Sequence, residues 1–233
     1  MRIAEVLEQG HNRARRVITS ELTRRREHKV TVVDFTRWFL ALFFVGVAAF
    51  YTVRVFAVAR RIRISPVFAG HPGTLHWATH FTFRVFRVLI LGVCVVRLVW
   101  PGLDQYLFTF NVLWHPLVLI LGNVLLLSGF SAVVAIHGYM GEDWRSGTRA
   151  EERTRLITKG PFSVSRNPMM LCVVVAQLGL FLALPSLFTL VCLAAGTWAV
   201  TAQVSVEEGM LLNRFGARYE AYKSQTPRWL LHH

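Results

Sequence analysis

Two stretches of the chain concentrate residue types that can hold charged groups. The first is Met140-Gly-Glu-Asp-Trp-Arg145, followed by Leu156-Ile-Thr-Lys-Gly-Pro-Phe-Ser-Val-Ser-Arg-Asn-Pro168. The second is Glu207-Glu208-Gly-Met-Leu-Leu-Asn-Arg-Phe-Gly-Ala-Arg-Tyr-Glu-Ala-Tyr222. Each abuts an apolar run: Met169 to Leu184 follows the first, and Leu187 to Val204 precedes the second. An ionisable residue at the end of such a run, facing other helices rather than lipid, is a functional hypothesis by default. The two runs meet at Pro185-Ser186, a joint too tight for anything but a helical hairpin, because proline cannot continue one helix but suits the start of the next. A hairpin returns its two ends to one membrane face. Arg166 and Glu207/Glu208, about 40 residues apart in sequence, are therefore expected close together in space.

The elements that must position them are read from composition. Of 233 residues, 54% are hydrophobic and only 17% charged, against roughly 25% charged in soluble domains. So much apolar surface excludes a disordered chain. A disulfide scaffold is excluded too, since Cys94, Cys172 and Cys192 all sit in apolar runs. The formal charge of +13 comes almost wholly from arginine, with lysine only at 29, 159 and 223. Nucleic-acid binding would explain that charge but not the apolar runs, so no nucleic-acid partner is expected. A helix needs about 20 apolar residues to cross a bilayer. Trp38–Ala59, Val85–Trp100, Val112–Ile136, Met169–Leu184 and Leu187–Val204 give about five spans. The expected fold class is all-α, a polytopic integral membrane protein with a C-terminal helical hairpin and a juxtamembrane helix. It divides into a basic segment over 1–34, transmembrane helices 1–3 over 35–140, and a catalytic part over 141–233.

Residues 1–34 read as a basic surface-lying helix whose Arg13, Arg16, Arg24 and Arg25 meet anionic headgroups; a solvated charged tail is the competing reading. Three basic segments, Arg60–Arg84, Gly141–Arg166 and the tail after Val206, fall on one side of a five-span layout. Pro101–Asn111, with no Lys or Arg, falls on the other, as the positive-inside rule requires. The same count puts the basic N-terminus on the far side. Either that tail breaks the rule or the first run does not fully cross. The expected setting is a bacterial inner membrane, with the chemistry facing the cytoplasm.

The two charged stretches resemble the isoprenylcysteine carboxyl methyltransferase family, including its prokaryotic members and the related phospholipid methyltransferases. The family pattern G-P-[FY]-x-x-x-R-[HN]-P-x-[YFM] stands here as Gly160, Pro161, Phe162, Arg166, Asn167, Pro168 and Met170. Its second block, E-E-x-x-L-x-x-x-F-G-x-x-Y-x-x-Y, stands as Glu207, Glu208, Leu211, Phe215, Gly216, Tyr219 and Tyr222. The likeness covers residues 130–228 and leaves the N-terminal half unassigned. It implies an integral-membrane methyltransferase using S-adenosyl-L-methionine on a lipophilic or amphiphilic small-molecule or lipid acceptor. It also implies catalytic roles for Arg166, Glu207 and Glu208. The cofactor would be bound by Trp144, Thr158, Lys159, Gly160, Pro161, Phe162, Arg166, Asn167, Pro168, Met170 and Glu208. In that reading a glutamate pairs with a cationic group of the ligand, and Arg166 forks onto a carboxylate.

The chain departs from the eukaryotic pattern at Asn167, where histidine is usual, and at Met170, where tyrosine is usual. Asn167 cannot titrate, and Met170 cannot bond as a hydroxyl does. No GxGxxG motif or strand–helix alternation suggests a Rossmann-type cofactor domain. His76 and His80, at i and i+4, have a spacing that suits a metal, but no carboxylate lies near them in sequence, so the expected metal set is empty and the histidines are read as interfacial. His115 and His137 read as structural, with lining of the cofactor pocket a second option for His137. Asn123, Ser128 and Gln177 read as helix glue, and Gly92, Gly122, Gly129 and Gly196 as close-packing points. Two rival functions remain: an NAD(P)H-dependent membrane reductase of sterol-reductase type, and a non-catalytic membrane scaffold.

Overall fold

The computed structural model describes residues 31–53, 55–57, 60, 71–141 and 155–230. Most of residues 1–34 and the whole stretch 142–154, with Trp144, lie outside them. Helix α1 spans Thr31–Ala57, α2 Leu75–Val99, α3 Pro116–Met140 and α4 Pro168–Ala183. Helix α5 spans Leu187–Phe215 and α6 Ala217–Gln225. Short 3-10 helices cover Pro101–Leu107 and Gly160–Ser163. No strand forms among the described residues.

Among the described residues the fold is all-helical, and its apolar helices are those of an integral membrane protein. Helices α1, α3 and α5 are long and apolar enough to cross a bilayer. Their outward faces carry side chains such as Leu42, Val53, Leu117, Leu121 and Val191 exposed, an apolar surface suited to lipid rather than water. Helix α4 is apolar but has only 16 residues, about 24 Å at 1.5 Å per residue. Helix α2 is long enough, yet Arg84, Arg87 and Arg97 dilute its hydropathy.

Local chemistry fixes the helix ends. His115 caps α3, its Nδ1 accepting the Leu117 N–H with Pro116 in the first turn. Ser186 caps α5 in a reciprocal capping box with Thr189. Pro185 sits just before that cap rather than inside the helix, and its carbonyl accepts the Phe110 N–H at 2.9 Å. Leu187 N–H in turn donates to Phe108, so the hairpin turn is tied to the α2–α3 connection.

The same end of the bundle holds the N-terminal part of α1. Asn123 Nδ2 donates to Thr36 Oγ1 at 2.9 Å, the helix-bridging role read for that asparagine. Asp104 receives Arg97 Nε and Arg37 Nη2, each at 2.6 Å. Burial pushes the Asp104 carboxyl up, but the hydrogen bonds and charges of Arg97 and Arg37 outweigh it and hold it below the ordinary value. The opposite end gathers the last part of α1, the first turns of α2, the end of α3, the start of α4 and the lower part of α5.

Glycines set the closest helix approach. A Cβ on Gly122 would meet Ala183 N at 2.2 Å, one on Gly179 Leu126 N at 2.3 Å, and one on Gly129 Ala176 N at 2.8 Å. Backbone thus lies almost on backbone between α3 and α4. Gly196 receives the Gln177 side chain instead. Gly92 does not pack closely: no atom lies within 4 Å of the place its Cβ would take. Its face of α2 points away from the bundle.

Helix α2 starts ten residues before the apolar run read from sequence, so the latter part of the expected Arg60–Arg84 loop is helical. Those extra turns are amphipathic. His76 and Thr79 are buried against the other helices.

Candidate functional site

The site is built where α4 begins and α5 runs out of its apolar stretch. Gly160 opens a 3-10 turn with φ +63°, a left-handed conformation natural to glycine. A Cβ there would fall 2.7 Å from the Tyr139 ring, so only glycine lets the backbone pass beneath that ring. Phe162 stacks on Tyr139 with 6.5 Å between ring centroids. It packs with Ile136, Met140, Ile157, Met169 and Cys172. The Tyr222 hydroxyl donates to the Phe162 carbonyl, tying α6 to the turn.

The chain then runs through Ser165, Arg166 and Asn167 into Pro168, the first residue of α4. Buried Ser165 accepts the Asn167 N–H at 3.1 Å and donates to the Arg228 carbonyl at 3.1 Å. Backbone N–H of Arg166 donates to Pro227 at 2.9 Å. The Arg166 guanidinium, with its side chain 8% exposed, donates through Nε to Glu208 Oε1 at 3.1 Å and through Nη1 to the Thr226 and Lys223 carbonyls at 2.7 and 3.1 Å. Asn167 Nδ2 donates to the same Glu208 oxygen at 3.0 Å. Arg228 completes the cluster, giving Nη2 and Nε to Glu208 Oε2 at 2.7 and 3.1 Å.

One buried carboxylate therefore faces two guanidiniums and a carboxamide. Such charge-assisted bonds are among the stronger ones in proteins, and the group as a whole keeps one surplus positive charge. Arg228 is its open member, with a side chain 45% exposed. Next to it, burial pushes the Tyr219 phenol up to about 12, with the Glu208 charge adding and Arg166 and Arg228 opposing. The Tyr222 phenol is likewise pushed up to about 12, chiefly by burial.

Glu207 does not join this cluster, although it adjoins Glu208. Consecutive helical residues do not share a face, and Glu207 turns toward α2. Its Oε1 accepts Gln203 Nε2 at 3.1 Å, and Gln203 Oε1 accepts the Thr79 hydroxyl at 2.8 Å. Gln203 and Thr79 are both buried. The glutamate pair thus reaches two different walls of one bundle end.

The structure brings Arg166, Asn167, Pro168 and Glu208 together and sets Gly160, Pro161 and Phe162 in the adjoining turn. Thr158 is half-buried and Lys159 exposed on the approach to it, and Met170 is half-buried in the first turn of α4. Sequence reasoning missed Arg228, Gln203, Thr79 and Ser165. The i, i+4 spacing of Gln203 and Glu207 was the available signal for one of them.

Residues 117–218 match the model of the phospholipid methyltransferase family. No curated protein and no solved structure matches the chain. The matched stretch runs from the first turn of α3 to the start of α6; it contains Arg166, Asn167, Glu207 and Glu208 and stops short of Arg228. Over residues 117–218 the chain is similar to the phospholipid methyltransferase family.

Proposed function

We propose that this membrane protein transfers a methyl group from S-adenosyl-L-methionine to a lipophilic or amphiphilic acceptor. The observation that carries the reading is the meeting of Arg166 and Asn167 with Glu208 at 3.1 and 3.0 Å across the hairpin, inside the family-matched region. When bound, S-adenosylmethionine supplies an electrophilic methyl on a sulfonium, which a nucleophile takes in line.

The residues present fit that ligand. Its amino-acid end carries an ammonium and a carboxylate, and the site offers both opposite charges. Arg166 can hold the carboxylate once it releases Glu208, and Glu208 can then hold the ammonium while Arg228 remains at its side. Such an exchange replaces one ion pair by two and leaves neither charge of the amino-acid end without a partner. The Gly160 backbone, with Thr158, Lys159 and Pro161, forms the wall for the nucleoside, and Phe162 is its apolar face. Asn167 and Pro168 hold Arg166 at the head of α4, Met170 lies one turn in, and Glu207 faces the acceptor side. Trp144 lies outside the described residues. With no proton to shuttle at Asn167, these residues work by orientation and exclusion of water.

The chain is further proposed to cross the membrane five times, with the site facing the cytoplasm. The alternating ends of α1 to α5 support that count. Two of the three arginines that weaken the hydropathy of α2 have local partners, Arg97 on Asp104 and Arg87 over the Tyr51 ring. Arg37 and Arg97 share Asp104 at the far end, so that end carries less net positive charge than its arginines suggest.

Isothermal titration of the purified protein with S-adenosylhomocysteine tests the reading, followed by tritiated methyl transfer into a total lipid extract. Saturable binding and label in the lipid fraction are expected. Lack of binding, or binding of NADPH in its place, refutes it.

A further inference from the structure

Helices α1 to α5 line a half-open cavity of about 150 Å³. Its walls are mostly aromatic and aliphatic, among them Phe43, Phe86, Ile90, Phe130 and Leu180. An apolar cavity of this size accommodates roughly one benzene-sized group. It therefore has room for a short length of one hydrocarbon chain.

The wall is not uniformly apolar. Arg87 lines the cavity and places its guanidinium 4.5 Å from the centroid of the Tyr51 ring. Among the described residues no carboxylate pairs with Arg87, in contrast to Arg37, Arg97, Arg166 and Arg228. Arg87 is exposed on α2, so it stands at the open side of this apolar lining, where a charged group can reach it. The Tyr51 ring also touches His137 of α3, at 6.1 Å between centroids. His137 lies one turn before Met140, which packs with Phe162 at the family-matched site. A continuous path of contacts thus runs from the cavity past Arg87 and Tyr51 to the bundle end where Arg166 and Glu208 meet.

We infer that this cavity and Arg87 together form the acceptor seat: the cavity takes part of a single hydrocarbon chain, and Arg87 holds an anionic group, carboxylate or phosphate, carried beside that chain. The guanidinium forks onto such oxygens, and the Tyr51 face keeps it aimed when the seat is empty. Naming the seat that of the acceptor rests on the methyltransferase reading; the selective binding of an anionic amphiphile does not. Arg87, Tyr51 and about half of the cavity lining precede the family-matched residues, so the charge that gives this selectivity lies in the part of the chain that the family pattern does not cover.

The test uses the full chain in neutral detergent micelles with three photoreactive probes: lauric acid, lauryl phosphate and lauryl alcohol. Labelled peptides are mapped by mass spectrometry. At least one anionic probe should label cavity-lining peptides about tenfold or more above the alcohol, the worth of one charge-assisted contact. The stronger of the acid and the phosphate identifies the head group. Arg87→Gln should reduce the anionic probes to the level of the alcohol, while Arg87→Lys retains most of the preference. Thr82→Phe, which fills the cavity from α2, should remove cavity labelling by all three probes with Arg87 intact. Equal labelling by acid, phosphate and alcohol in the parent overturns the inference, as does a preference that survives Arg87→Gln or cavity labelling that survives Thr82→Phe. The S-adenosylhomocysteine titration is a separate readout, so failure here and failure of the methyltransferase reading are distinguishable.

Discussion

Replacing Glu208 by glutamine should damage this protein far more than replacing its more exposed partner, Arg228. The carboxylate is 7% exposed and receives Arg166, Asn167 and Arg228. In Glu208→Gln the Arg166 side chain, 8% exposed, keeps its charge but loses its counter-charge and cannot turn to water. Breaking a buried pair in this way costs about 3–5 kcal/mol. Arg228→Gln removes a group whose side chain is 45% exposed, and Arg166 and Glu208 remain paired, so the loss should stay near the roughly 0–1 kcal/mol of an exposed ion pair. At about 2–4 °C per kcal/mol for a chain of this length, the first variant melts about 6–20 °C lower and the second no more than about 4 °C lower. Tryptophan-fluorescence melting in one detergent reads both. The double variant Arg166→Met/Glu208→Gln should lose less than the two single losses combined, because the stranded cation has gone. Equal melting shifts for Glu208→Gln and Arg228→Gln, or simple additivity in the double variant, would refute the idea that Glu208 is the hub.

Further outcomes follow from the same geometry. Gln203→Leu should cost about 0.5–1.5 kcal/mol by removing the bonds that link Thr79 and Glu207 through Gln203, less than for a stranded group because the Thr79 hydroxyl keeps the His76 carbonyl as acceptor; denaturant titration measures the loss. Gly179→Ala should cost about 1–3 kcal/mol by overpacking, since its Cβ falls 2.3 Å from Leu126 N; Gly92→Ala, with open space around it, should melt at the parent temperature or slightly above. Stability should also depend on pH at both extremes. Asp104, lowered in the fold from 3.8, contributes stability above that value that is lost as pH falls through its folded value; Tyr219 and Tyr222, raised from 10.0 to about 12, contribute stability below pH 10 that is lost between 10 and 12. Melting scans across pH should show both limbs, and Asp104→Asn should flatten the acid one.

The hairpin was legible because Pro185-Ser186 leaves room for little else, and with it the approach of Arg166 to Glu208. Close packing at Gly122 and Gly129 was legible too, since small residues on apolar helices let backbones touch. The separation of Glu207 from Glu208 depends on the rotational phase of α5, which neighbouring charges in a sequence do not display. Arg228 was not legible because it is one arginine among 26 basic residues and lies beyond the motif. Gly92 and Gly179 look alike in sequence; only the facing helix tells them apart. The buried start of α2 escaped a hydropathy reading because its polar Thr79 is paired with Gln203 rather than solvated.

Arg166 takes two carbonyls from residues 57 and 60 positions further along the chain. At roughly 5–20 residues per second of synthesis, the start of α4 exists for about 3–12 s before its arginine can find them. The site therefore closes only after residues 223–226 have emerged. A ribosome stalled within α5 leaves a nascent chain with the hairpin begun and that cation without its acceptors, a natural mark of an unfinished molecule.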